Sequence, residues 1–79
     1  MRHQYTFASG RHVAAARAMA GLKQIELAEL AGLHVNSLKR LEAMKRIGHG
    51  LAVDRVHQAL LAKGIMCQTR PTPSIYMVT

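Results

Sequence analysis

The stretch His34 to Arg46, HVNSLKRLEAMKR, concentrates side chains that make directional hydrogen bonds to flat or anionic partners. Asn36 carries a carboxamide that donates and accepts side by side, Ser37 a hydroxyl, and Lys39, Arg40, Lys45 and Arg46 donate only. Advancing about 100° per residue along a helix, Val35, Asn36, Lys39 and Arg40 cluster around a direction roughly 160° to 200° from that shared by Leu38 and Leu41. A helix there has an apolar back and a front of reaching, hydrogen-bonding side chains. Those types suit base-pair edges: Asn36 can pair both amide groups with adenine, Lys39 or Arg40 can donate to guanine, and Val35 can touch a thymine methyl. Ser37, Lys45 and Arg46 suit phosphates, which set register and affinity without reading sequence. The plainer alternative for the same residues is a solvated charged face.

Such a front needs elements that hold it still. Gly10 to Ala20 is alanine-rich, with Val13, Ala16 and Ala20 along one helical face, Ser9 placed to cap it and Gly21 to stop it. Gln24 to Ala31 forms a second, two-turn helix in which Leu27, Ala28 and Ala31 recur before Gly32 breaks it. After the bend Gly32, Leu33, His34, the third helix runs from about Val35 to Met44, the second helix and the third together having the layout of a helix-turn-helix. The basic loop KRIGHG over Lys45–Gly50 leads into a fourth helix over Leu51–Lys63, with Val53, Val56, Leu60 and Leu61 in period and Gly64 ending it. Ile65–Gln68 and Ser74–Val78 read as two strands around a turn that contains Pro71 and Pro73. A lone hairpin is marginal in water, so it either packs on the fourth helix or pairs with a second chain, and the dimer is favoured. On that reading Ile65, Met66, Cys67, Ile75, Tyr76 and Met77 form the dimer interface. Met1 to Ala8 shows no sustained period and reads as an arm or short edge segment.

Composition bounds the rest. The chain has 79 residues, enough for one domain spanning 1–79, and at this size only about 60% of the unfolded surface is buried, so a partner subunit helps. Eleven Lys and Arg against four Asp and Glu give a net charge of +7 with His neutral, which points to a polyanionic partner. Four acids are too few for an evident paired-carboxylate site, and neither a Ser/His/Asp spacing nor a glycine-rich phosphate loop is present, so an enzyme is not expected. The single cysteine, Cys67, can build neither an intrachain disulfide nor a thiolate metal cage. It reads as a small apolar side chain, and the chain as cytosolic. His3, His12, His34, His49 and His57 show no i, i+3 or i, i+4 pair, so no metal site is expected. No cofactor or small-molecule ligand is evident either. No apolar run approaches the roughly 20 residues that cross a bilayer, and no signal-peptide stretch is seen, so no membrane role is expected.

The 30 residues from Val13 to Glu42, VAAARAMAGLKQIELAELAGLHVNSLKRLE, resemble the Cro and phage-repressor (XRE) helix-turn-helix family, with G-L-x-Q-x-x-L-A-x-x-A-G-L-x-x-x-x-L-x-x-L-E intact from Gly21 onward. The resemblance implies a mainly α, four-helix, lambda-repressor-like domain closed by a short C-terminal β-hairpin or dimerisation strand over 65–79. It places Val35, Asn36, Lys39 and Arg40 at base-reading positions, the same four that the helical count selects. It also implies an ion pair between Arg17 and Glu42, and a bracing role for Gln24 toward a recognition-helix side chain. Lys23 and Gln24 at the start of the second helix, with His34, Ser37, Lys45 and Arg46, are the expected phosphate contacts, because free N–H groups at a helix start favour an anion. Val13, Ala16, Leu22, Leu27, Ala31, Leu33, Leu38 and Leu41 are the expected core.

Two places depart from the pattern. Ile25 and Leu30 stand where relatives more often carry polar side chains, marking a partner surface or extra packing, and His34 replaces a small hydroxyl cap, which weakens the start of the third helix. The function expected from the resemblance is a sequence-specific double-stranded DNA-binding regulator of the bacterial cytoplasm, acting at the nucleoid. The resemblance implies a homodimeric autorepressor of a small phage or mobile-element operon on an inverted repeat, among kinds that include anti-CRISPR-associated regulators. The alternative is an antitoxin or other protein-interaction module on the same fold. RNA binding is disfavoured by the shortage of aromatic stacking platforms.

Overall fold

The computed structural model describes residues 7, 9–48, 50–68 and 74–77, with only the backbone at 67, 68 and 74. It contains helices α1 (Gly10–Met19), α2 (Gln24–Ala31), α3 (Val35–Ala43) and α4 (Leu51–Ala62), followed by strands β1 (Ile65–Gln68) and β2 (Ser74–Met77). The protein is thus a small, mainly α domain with a C-terminal hairpin. α2 packs on α4 and α3, α1 packs on α3, and the hairpin lies against α1 and α4.

The helices end where chain chemistry stops them. Gly32 adopts φ +70°, and the turn it makes lets Leu33 N–H reach the Ala28 carbonyl at 2.8 Å and Gly32 N–H reach that of Glu29 at 3.1 Å. The same two bonds close α1 at Gly21, from Leu22 to Arg17 and from Gly21 to Ala18. Ser9 stands at the cap position of α1, but its hydroxyl meets His12 Nδ1 at 3.0 Å instead of a backbone N–H.

Val13 and Ala16 of α1, Leu27, Ala28 and Ala31 of α2, Leu38 and Leu41 of α3 and Val53, Val56, Ala59 and Leu60 of α4 are buried together. Leu22 and Leu33 are half-buried at the turns, so they support this cluster from its edge. Two further members depart from expectation. Phe7 is 1% exposed and meets the His57 ring edge-on at 5.9 Å, so the last part of the expected arm belongs to the core; the rest of Met1–Ala8 lies outside the described residues. In a chain with one Phe and no Trp, that ring is the largest apolar body available to fill the interior.

Ile65 is likewise 1% exposed, which corrects its place in the expected dimer contact. β1 and β2 pair antiparallel within the chain, Ile65 opposite Met77, Met66 opposite Tyr76 and Cys67 opposite Ile75, and Ile75 also packs against the core. The hairpin is supported by α1 and α4 beneath it. Of the six residues expected at a dimer contact, Tyr76 and Met77 are exposed and Met66 and Ile75 are half-buried, while the Cys67 side chain lies outside the described residues.

Candidate nucleic-acid interface

α3 presents the face that its sequence pattern requires. Leu38 and Leu41 are buried, while Asn36, Ser37, Lys39 and Arg40 are exposed. Val35 differs from its three companions: it is half-buried and packs against the core. The reason is geometric, since at about 100° per residue it stands roughly 90° from the mean leucine direction, on the margin of the apolar face. Any base contact it makes is confined to the outer part of its side chain.

The start of α3 is capped by an imidazole. His34 Nδ1 accepts from Asn36 N–H at 3.1 Å, so the ring performs the task of the small hydroxyl that the pattern lacks. The cap is thus present despite the missing hydroxyl, and it ties His34 to the backbone of Asn36.

The far end of α3 is held by a carboxylate. Glu42 Oε2 accepts from Arg17 Nε at 2.8 Å, and Oε1 accepts from Arg17 Nη2 at 3.1 Å and from Gln24 Nε2 at 3.0 Å. Arg17 Nη1 also donates to the Leu22 carbonyl at 3.1 Å. One network therefore ties α1, the turn after it, the first residue of α2 and the last turn of α3. The expected pairing of Arg17 with Glu42 is present, and Gln24 does brace a side chain of α3.

That arrangement changes the expectation for the start of α2. The Gln24 amide is turned onto Glu42, and the Lys23 N–H donates to Glu26 Oε1 at 2.7 Å. A carboxylate already occupies this helix start, so its attraction for a phosphate is reduced. Lys23, Lys45 and Arg46 are exposed, and half-buried Ile47 anchors the loop that carries the last two. His49 lies outside the described residues.

The sequence reading missed two contributors, Gly10 and Arg55. Gly10 lies so close to α3 that an added Cβ would meet the Glu42 carbonyl oxygen, and its N–H donates to the Met44 carbonyl at 2.8 Å. A glycine directly after a serine cap was the available signal. Arg55 of α4 donates to the Gly32 carbonyl at 3.2 Å, fastening the helix-turn-helix bend to the helix behind it. Ile25, Leu30 (52%) and Leu51 (69%) are exposed, and the latter two border a shallow groove of about 540 Å³ between α2 and α4 that also holds Glu29 and Asp54. The departures at Ile25 and Leu30 are therefore not extra packing within this chain.

Among the described residues no three of His, Cys, Asp and Glu come together as a metal site, and no helix is long and apolar enough to cross a membrane. No family model matches the chain, and no curated protein matches it.

Proposed function

We propose that this protein is a sequence-specific double-stranded DNA-binding regulator, a homodimer that recognises an inverted repeat and represses its own small phage or mobile-element operon. One observation carries the reading: α3 turns Asn36, Lys39 and Arg40 outward while a cap at one end and the Arg17–Glu42–Gln24 network at the other hold it rigidly. A helix that is already fixed spares the backbone ordering that binding would otherwise require, leaving only the side chains to be ordered. Four of the eleven Lys and Arg fall between positions 35 and 46, and the lone acid there, Glu42, is neutralised by Arg17. In a two-fold dimer the two α3 helices would enter successive major grooves about 34 Å apart.

The test is duplex binding by the full chain, comparing a sequence enriched from a randomised pool with random duplex. Asn36→Ala and Arg40→Ala are each expected to cost about 1–3 kcal/mol on the enriched sequence and far less on random duplex. Equal losses on both would show that these side chains touch only backbone.

A second reading, a protein-interaction module such as an antitoxin, draws on the exposed Leu30 and Leu51 beside the α2–α4 groove. It requires that Leu30→Asp abolish binding to a protein encoded beside this gene and leave duplex binding intact.

A further inference from the structure

Gly10 brings the first turn of α1 directly onto the last turn of α3, with its N–H on the Met44 carbonyl at 2.8 Å. The two helix ends thereby become opposite walls of one cleft of about 590 Å³, Ser9 and Arg11 on one side and Ala43, Met44 and Lys45 on the other. Arg11 and Lys45 are exposed, and among the described residues neither is in an ion pair or a side-chain hydrogen bond. Glu42 also borders the cleft, but both its oxygens are already engaged and its charge is matched by Arg17. The cleft thus presents two uncompensated cations from elements 34 residues apart, fixed relative to one another by backbone.

We infer that Arg11 and Lys45 together hold one phosphodiester of the DNA backbone, at the exit of α3 and outside its base-reading face. The inference rests on the DNA-binding reading and deepens it by naming a residue of α1 as a ligand. The chemistry fits a single tetrahedral anion: a guanidinium fork supplies paired donors, an ammonium supplies a point charge opposite it, and small Ala43 leaves room between them. Because Lys45 follows α3 by two residues, an anion seated here belongs to the strand that flanks the groove α3 would occupy. Such a contact carries no sequence information and fixes how far α3 advances along the groove.

The experiment is salt titration of random-duplex binding by the full chain. Because the two share one phosphodiester, Arg11→Gln and Lys45→Gln are each expected to flatten the slope of log affinity against log salt by up to about one unit, and the double variant by no more than about one unit; about two units in the double variant would mean two separate phosphates and overturn the shared cleft. Lys63→Gln, beyond the end of α4, is expected to leave it unchanged. If Arg11→Gln keeps the wild-type slope while Lys45→Gln lowers it, the shared cleft is wrong although DNA binding stands. If wild type shows no salt-dependent duplex binding, the DNA reading fails and this inference with it. Millimolar inorganic phosphate at fixed ionic strength separates the two sources of the same chemistry. A backbone clamp leaves duplex affinity unchanged; loss of affinity in wild type but not in Arg11→Gln would mean a free-phosphate pocket and overturn the assignment.

Discussion

Removing Arg17 is expected to destabilise the fold more than removing Glu42, although the two share one ion pair. The Glu42 side chain is 7% exposed and that of Arg17 is 21% exposed. Breaking a fully buried pair by deleting one partner costs about 3–5 kcal/mol, because a charge is stranded away from water. In Glu42→Ala the stranded guanidinium still has the Leu22 carbonyl and enough surface to be rehydrated, which places the loss near about 2–3 kcal/mol. In Arg17→Ala the stranded carboxylate keeps only the Gln24 amide and is nearly closed off from solvent, so its loss lies nearer about 3–4 kcal/mol.

A domain of 79 residues has about 4–12 kcal/mol in total, so either change removes a large share. Each kcal/mol lowers the melting midpoint by about 4–8 °C at this size. Urea denaturation of wild type, both single variants and Arg17→Ala/Glu42→Ala measures the loss and the coupling in one cycle. The double variant strands no charge and is expected to lose less than the two single losses added together. Neutral single variants, or a larger loss for Glu42→Ala than for Arg17→Ala, would refute the burial argument.

Three further outcomes follow from packing and backbone geometry. Phe7→Ala empties the largest buried side chain and is expected to cost about 3–5 kcal/mol in urea melts; a change within error would mean that the ring is not a core element. Gly32→Ala forces a Cβ into φ +70° where it meets Arg55 Nη1 at an ordinary contact distance of 3.5 Å without a clash, so its cost is backbone strain, about 1–2 kcal/mol, and a neutral or stabilising result contradicts the left-handed turn. Tyr76→Glu with Met77→Glu tests whether the outer part of the hairpin is the dimer contact: sedimentation is expected to show monomers with only a small shift in melting, and an unchanged dimer would move the contact elsewhere.

What was legible in the sequence divides by the distance over which each signal acts. The bounds of α2 and β1 match the sequence reading residue for residue, because alanine and leucine periodicity inside α2 and the glycines Gly32 and Gly64 are local signals. The other helices differ by one residue at the C-terminal end, where fraying makes boundaries soft. The outward face of α3 was equally local, being set by Leu38 and Leu41 within the same helix. Phe7 was illegible for the opposite reason: no period surrounds it, and its burial is decided by a cavity that distant helices create. Ile65 looked like interface because a lone hairpin needs support, and the packing of β1 against α1 and α4, which buries it, is decided by elements distant in sequence.

The candidate site shows the same division within a few residues. Asn36, Lys39 and Arg40 could be assigned by counting around one helix, whereas Arg17 and Glu42 are 25 residues apart, and their pairing came from resemblance rather than spacing. Gly10 is the extreme case. Its chemistry is only the absence of a side chain, and that absence acquires meaning when the last turn of α3 arrives against it. The bases α3 would read are therefore encoded locally, while the depth and angle at which it would meet them are encoded by residues remote in sequence. Substitutions at the remote positions are expected to weaken binding to all duplexes together, and those on the exposed face to change which duplex is preferred.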